Sequence, residues 1–308
     1  LNRKRSKWRR WLIIDLAIVL VFTGFFGAYA FHFYQSFASA SKDIHVSFDR
    51  IKSEKRVSSV RFEEQDPFTV LLLGVDERES DRGRSDTLIL ATVNPKTETT
   101  SLLSIPRDTY TEIIGYGTMD KINHAYAFGG IEMAIATVEN YLDVPIDYFV
   151  KVNMEGFEDI VNAVGGITVE NAFPFSSNGY TFEKGQINLN GKQALAYARM
   201  RYDDPDGDFG RQERQKQVIE NIIKKGATVS TLWNYNEILE ALGTNLKTNL
   251  TIPHIIQIQN DYKPALNHMT KRSIEGGEDT YIDGIYYYKV PEERIRELQT
   301  ELRSELGL

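Results

Sequence analysis

The chain has 308 residues, with 36 basic and 43 acidic side chains, five histidines, no cysteine and a net charge of −7. Disulfides and thiolate zinc sites are excluded, so the fold rests on its apolar core alone. Six of the first ten residues are basic (Arg3, Lys4, Arg5, Lys7, Arg9, Arg10), which leaves −13 on the remainder. A body that acidic is a poor nucleic-acid binder, because such affinity is largely phosphate neutralisation.

From Trp11 to about Phe33 runs a stretch rich in Leu, Ile, Val, Phe and Ala, interrupted only by Asp15 and His32 near its ends. As a helix it is long enough to cross the roughly 30 Å hydrocarbon core of a bilayer. The basic flank predicts a cytoplasmic N-terminus and an exported remainder. Ser36, Ala38, Ser39 and Ala40 would suit a cleaved signal peptide, but the length of the apolar run favours an uncleaved anchor. Residues 1–10 therefore read as a cytoplasmic tail, 11–33 as a transmembrane signal-anchor and 34–66 as a juxtamembrane linker. Residues 67–308 read as one extracellular domain.

Phe68–Val75 is a continuous apolar run, the pattern of a strand buried on both faces. Thr87–Val93 and Thr100–Ile105 read as its neighbours, joined through the hairpin signal Asn94-Pro95-Lys96-Thr97. Helical spacing over Gly130–Leu142 precedes a strand at Tyr148–Val152 and an amphipathic helix over Met154–Val164. Ile167–Glu170 and Gly179–Glu183 predict short strands of a less regular lobe. Asn190 caps a helix through Met200, and Phe209–Lys225 is a strong helix. Further helices are expected near 232–242, over Pro253–Tyr262 and over Pro291–Leu306, with strand character across Thr280–Val290 before the last. Strands alternating with helices predict a single α/β domain with a central sheet flanked by helices on both faces.

Arginine–aspartate combinations recur where strands end. Gly74-Val75-Asp76 closes the first strand, and the next loop carries Arg78, Asp81, Arg82, Arg84 and Asp86. Ser104-Ile105-Pro106-Arg107-Asp108 closes the third. Strand ends form the rim of a sheet, where α/β sites usually lie. Asp76 and Asp86 facing one another across the loop would suit a hard cation such as Mg²⁺, which takes one or two carboxylates plus water and phosphate. The bland reading of the same loop is a surface of paired charges.

The densest cluster runs from Tyr197 to Gln215, with Arg199, Arg201, Asp203, Asp204, Asp206, Asp208, Arg211 and Arg214 around a Pro205-Asp206-Gly207 turn. Guanidinium groups match phosphate oxygens bidentately, so their clustering points to a phosphate or pyrophosphate ligand. With a helix starting after Gly210, Arg211, Arg214 and Gln215 would share one face of its first turn. Salt bridges to Glu213 or Asp208 are the competing explanation. The histidines, among them His124, lack metal-ligand spacing, and no Walker loop, dinucleotide fingerprint or nucleophile elbow is present.

Read together, the basic tail with one span, Leu71-Leu72-Leu73-Gly74-Val75-Asp76, Arg84-Ser85-Asp86-Thr87, Ser104–Asp108, Lys121-Ile122-Asn123-His124-Ala125-Tyr126, Gly165-Gly166-Ile167 and the Tyr197–Gln215 cluster resemble the LytR-CpsA-Psr family. The likeness covers about residues 68–225, the expected catalytic core. It implies a mixed central sheet and a phosphotransferase of the teichoic acid transferase type. Such an enzyme moves an anionic glycopolymer, of wall teichoic acid or capsule type, from an undecaprenyl-pyrophosphate carrier to a peptidoglycan hydroxyl. By the resemblance, Asp76 and Asp86 would hold Mg²⁺, with Mn²⁺ as its substitute, and Arg84, Arg107, Arg199, Arg201, Arg211 and Arg214 would grip the pyrophosphate. Arg107, Arg199, Arg201, Arg211 and Asp208 would carry catalysis, with Asp108, Asp204 and Gln215 in support. An apolar pocket between sheet and helices would take the lipid, beside a Gram-positive type cell membrane. Two rival readings are a polyprenyl-pyrophosphate hydrolase and a non-catalytic membrane-bound regulator. An acidic, exported body without a convincing helix-turn-helix argues against the regulator and against any nucleic-acid partner.

Overall fold

The structure is a computed structural model and describes residues 44–46, 52–77, 83–228 and 243–308. The expected basic tail and membrane span, part of the linker, the loop charges Arg78, Asp81 and Arg82, and the expected helix near 232–242 lie outside the described residues. Among the described residues no helix is long and apolar enough to cross a membrane.

Phe68–Val75 (β1), Ser85–Asn94 (β2) and Thr99–Ser104 (β3) form an antiparallel meander. Asn94 sets the β2–β3 turn, its Oδ1 accepting the backbone N–H groups of Lys96 and Thr97 at 3.0 and 3.2 Å, as turn-forming asparagines do. Tyr110–Ile113 (β4) and Thr118–Lys121 (β5) make a small hairpin. The helix His124–Leu142 (α1) begins at His124 rather than Gly130, because Gly130 (φ 71°, ψ −153°) kinks it without ending it. It carries the chain back to Tyr148–Val152 (β6), which lies parallel to β1; parallel neighbours require such a crossover.

Met154–Ala163 (α2), Ile167–Asn171 (β7), Phe175–Ser177 (β8), Tyr180–Phe182 (β9), Gly185–Leu189 (β10) and Gly191–Arg199 (α3) build the less regular lobe. Its core gathers Val161, Phe175, Phe182, Leu189 and Tyr197. A capping box between Asn190 and Gln193 starts α3, satisfying two orphan donors of its first turn. Helix α4 spans Gly207–Thr228. It starts before Gly210, so Asp208 occupies the first turn and Arg211 the second.

Leu246–Thr248 (β11), Ile252–Asp261 (α5) and His268–Ser273 (β12) follow. The central sheet has the order β11-β6-β1-β2-β3-β12 and is mixed, with β6 parallel to β1 and β12 parallel to β3. The strand character expected over 280–290 is present as a hairpin, Glu278–Ile282 (β13) and Ile285–Lys289 (β14). Asp283 and Gly284 form its turn with φ of 49° and 77°, the left-handed pair that an Asp-Gly hairpin needs. Glu292–Leu306 (α6) closes the fold.

Both faces of the sheet are covered. Leu71, Leu73, Leu88, Leu90 and Phe149 pack with α1 and with Leu298, Leu302 and Leu306 of α6. The three leucines are four residues apart and so share one helix face. Phe68, Val70, Ile89 and Leu102 face Ile219 and Ile223 of α4 and Ile258 of α5. Leu71 and Leu90 are cross-strand partners with no exposed surface; truncating either to alanine costs about 2–5 kcal/mol.

Candidate active site

The sheet brings separate arginine–aspartate pairs to one rim. Antiparallel pairing places the end of β1, the start of β2 and the end of β3 together: Val75 pairs with Ser85, and Ile89 with Ser104. Ile105 prolongs the ladder by donating to the Leu88 carbonyl at 2.9 Å. Pro106 then turns the chain, and Arg107 Nη1 donates to Asp86 Oδ1 at 2.8 Å. Asp108, next along, is held by Lys121 Nζ at 2.6 Å. Its carboxylate also stands 3.6 Å from Arg107 Nε.

Helix α4 delivers the rest. Asp208 in its first turn complements the helix dipole. Its Oδ1 stands 2.8 Å from Arg211 Nη2 and 3.7 Å from Arg201 Nε, while Oδ2 accepts from Gln212 Nε2 at 3.1 Å. Oδ1 lies off the hydrogen-bonding direction of these cations. It is buried without a hydrogen bond among the described residues, as are Arg211 Nε and Gln212 Oε1.

Arg107 and Arg211 respond oppositely to this setting. Burial works against charge on Arg107, but Asp86, and then Asp108 and Asp208, outweigh it and hold its pKa above the ordinary value. For Arg211, only 8% exposed, burial is reinforced by repulsion from Arg107; together they outweigh Asp208 and Asp86, and its pKa falls. A buried cation with an idle donor and a cationic neighbour is a poor native arrangement on its own. An anion between the two guanidiniums would satisfy the donor and relieve the repulsion. Two guanidiniums so placed have the chemistry to hold a charge-dense anion.

The other expected residues fall elsewhere. Arg214 lies inside the helical lobe with every side-chain nitrogen engaged: Nε donates to the Tyr197 carbonyl at 3.1 Å, Nη1 to Asp204 and Nη2 to the Met200 carbonyl. Its guanidinium also lies 5.3 Å from the Phe175 ring centroid. The Arg214–Asp204 pair is thus occupied internally, and the structure does not bring it into the rim cluster. Arg199 is exposed and directs Nη1 to Met154 Sδ at 3.1 Å. Arg84 is exposed, with its carbonyl accepting from the Asp76 N–H at 3.2 Å. That contact, with Gly83 against the Asp76 carbonyl where a Cβ would come within 2.0 Å, fixes Asp76 at the same strand end as Asp86. Gln215 is half-buried on α4. Among the described residues no group of three or more histidines and carboxylates gathers to hold a metal.

Some site residues were not singled out from sequence. Lys121 was visible in its motif, yet its role depends on the β4–β5 hairpin, which sets it against Asp108 and 5.7 and 5.8 Å from the Tyr286 and Tyr287 ring centroids. Gln212 reads as an ordinary helix residue, and only burial beside Asp208 marks it. Lys216 is fully buried, hydrogen-bonded to Ser273 Oγ at 2.9 Å, and its pKa is lowered by burial.

Comparison with known proteins identifies the family. The model of the LytR_cpsA_psr family matches residues 31–304. The chain is 52% identical over 305 residues, 99% of both sequences, to the polyisoprenyl-teichoic acid–peptidoglycan teichoic acid transferase TagU of Bacillus subtilis strain 168. Among solved structures, a protein from Enterococcus faecalis described as a transcriptional regulator superposes with a TM-score of 0.75 at 42% identity, covering 81% of this chain and 91% of that one. TagT bound to LI-WTA superposes with a TM-score of 0.73 at 35% identity, covering 86% and 100%. A match over nearly the whole length, on the fold that sets Arg107 beside Arg211, makes this chain a member of the LytR-CpsA-Psr family.

Proposed function

We propose that the chain transfers a teichoic-acid-type glycopolymer from a polyprenyl-pyrophosphate carrier to a peptidoglycan hydroxyl. The observation that carries this reading is buried Arg211, its Nε without a partner among the described residues, beside Arg107. A pyrophosphate is the charge-dense anion such a pair suits, and the named activity of the B. subtilis relative supplies donor and acceptor.

The acceptor hydroxyl oxygen forms a bond to the polymer-side phosphorus. The bond from that phosphorus to the bridging oxygen breaks, and its electron pair leaves with polyprenyl phosphate. Asp208, flanked by Arg201 and Arg211, receives the hydroxyl proton and returns it to solvent. Arg107 and Arg211 offset charge on the phosphoryl oxygens. Phosphoryl transfer needs little beyond such positioning and neutralisation. Asp86 and Asp108 hold Arg107 in place.

Asp76 and Asp86 fit a hard divalent cation, because they offer carboxylate oxygens from one strand end and phosphate completes such a shell. Mg²⁺ bound there would neutralise charge on the leaving phosphate. The partly buried Leu72, Val150, Ile219, Ile223 and Ile258, between the sheet and helices α4 and α5, offer the apolar surface for the prenyl chain. The basic tail and apolar run at the N-terminus would hold the domain against the membrane that carries this lipid.

The test supplies the full chain, in detergent with Mg²⁺, with a radiolabelled polyprenyl-pyrophosphate glycan and peptidoglycan oligomers. Label entering peptidoglycan, and lost in Arg107→Ala and Arg211→Ala, is the expected result. Label released only as sugar phosphate would replace transferase with hydrolase. Absence of turnover with tight lipid binding would replace it with a binding protein.

A further inference from the structure

Beside the arginine cluster lies a second concavity of different chemistry. It is an open concavity of about 620 Å³ lined by Phe209, Tyr288 and residues 275–279, within the roughly 300–1,000 Å³ usual for small-ligand sites. Phe209 directly follows Asp208 on α4. Tyr288 donates its backbone N–H to the Asp108 carbonyl at 2.9 Å. The pocket thus shares its wall with two residues of the rim cluster.

The walls are preformed. Gly277 donates its N–H to Tyr288 Oη at 2.9 Å, and a Cβ on Gly277 would stand 2.5 Å from the Tyr288 ring, so the ring lies directly on the glycine backbone. Phe209 meets Tyr288 edge-on, with centroids 5.8 Å apart. Asp279 accepts from Tyr286 Oη at 2.8 Å.

Charge decides which substrate this pocket takes. Glu275, Glu278 and Asp279 line it, and three carboxylates repel a polyphosphate chain. An aromatic face beside carboxylates is chemistry that receives a sugar: ring C–H groups lie on half-buried Phe209, while hydroxyl and acetamido N–H groups donate to the carboxylates. We infer that this pocket, resting on the transferase reading above, is the acceptor subsite. There it seats an uncharged hexosamine ring of the peptidoglycan glycan so that its hydroxyl faces Asp208. The polyanionic donor is left to the arginine side. The division explains how one site keeps a polymer of phosphodiesters from occupying the acceptor position.

The experiment measures binding and turnover separately, in the full chain. Saturation-transfer NMR with a peptidoglycan tetrasaccharide should show contact in the wild type. Phe209→Leu, which keeps bulk without an aromatic face, and Asp279→Asn should weaken it by about tenfold, the upper range for losing one aromatic or polar contact. Phe209→Tyr should retain it. In the transfer assay the same weak variants should raise the acceptor KM by a similar factor, with donor KM and thermal midpoint unchanged. Tetrasaccharide contact equal in all variants, or donor and acceptor KM rising together, would overturn the inference. If the wild type bound the tetrasaccharide through Phe209 yet never transferred label, the transferase reading would fail and the sugar subsite would stand. If it transferred label with acceptor KM indifferent to these variants, the reverse would hold.

Discussion

Asp204 lies against the backbone of Gly210: a Cβ at Gly210 would stand 2.1 Å from both carboxylate oxygens. Carboxylates usually swing aside, but this one is pinned. Its side chain is 2% exposed, one oxygen is on Arg214 and the other accepts the Asp206 N–H at 2.7 Å. Gly210→Ala should therefore dislodge Asp204 and leave Arg214 buried without its counter-ion, costing about 3–5 kcal/mol. In an Asp204→Ala background the same change should cost much less, because the clash is gone. Urea denaturation of the four proteins of the cycle measures the coupling; additive effects would show that the two positions do not communicate.

Arg211 should behave in the opposite way. It is buried, repelled by Arg107 and its pKa is lowered by that setting, so removing its charge releases strain. Arg211→Met should leave the thermal midpoint unchanged or raised while transfer falls by about 10²–10³, as when one preorganised charge partner is lost. Inorganic pyrophosphate should raise the midpoint of the wild type and not of the variant, since a ligand stabilises only the state that binds it. A loss of stability equal to that of Arg214→Met would place Arg211 among the structural arginines.

That contrast marks the limit of what the sequence discloses. Phe68–Val75 and Tyr148–Val152 were legible to the residue, because central strands are mostly apolar, with Thr69 and Lys151 the exceptions here. Strand β12 was not, because His268–Ser273 is polar and sits at the edge of the sheet, where no alternation is imposed. The strand character over 280–290 was legible, but the Asp283-Gly284 turn that folds it into a hairpin was not singled out. At the site, the arginine–aspartate density was plain, but its division was not. Arg211 and Arg214 are three residues apart and chemically identical. Only the packing of Tyr197, Met200 and Asp204 turns one of them inward.

His254 should give the fold an acid-sensitive step. Its Nδ1 accepts the Thr251 N–H at 3.4 Å in the capping box of α5, and its ring lies among Phe62 and Tyr148, 5.1 and 5.6 Å away. Burial first, and then His45, lowers its pKa below 6.5. The unfolded chain takes up a proton near pH 6.5 while the folded chain resists. Stability is therefore full above that value and is lost as pH falls toward the lowered folded value. His254→Gln keeps a side chain able to complete the box and removes the titration. Urea midpoints between pH 7.5 and 5 should fall less in the variant. Parallel slopes would assign the loss to other groups.

The two rim carboxylates should separate metal binding from scaffolding. Asp86 accepts from Arg107 at 2.8 Å, whereas Asp76 is fixed through its backbone N–H to the Arg84 carbonyl. Asp76→Asn should raise the Mg²⁺ concentration needed for half-maximal transfer and leave pyrophosphate affinity in EDTA unchanged. Asp86→Asn should raise the Mg²⁺ requirement and also disturb that metal-free affinity, because Arg107 loses the carboxylate that orients it. Removing one partner of a hydrogen-bonded ion pair alters whatever the other partner binds. Transfer against Mg²⁺ concentration, with pyrophosphate titrations in EDTA, measures both. Transfer indifferent to EDTA in the wild type would remove the metal from the reaction and leave Asp86 as a partner of Arg107 alone.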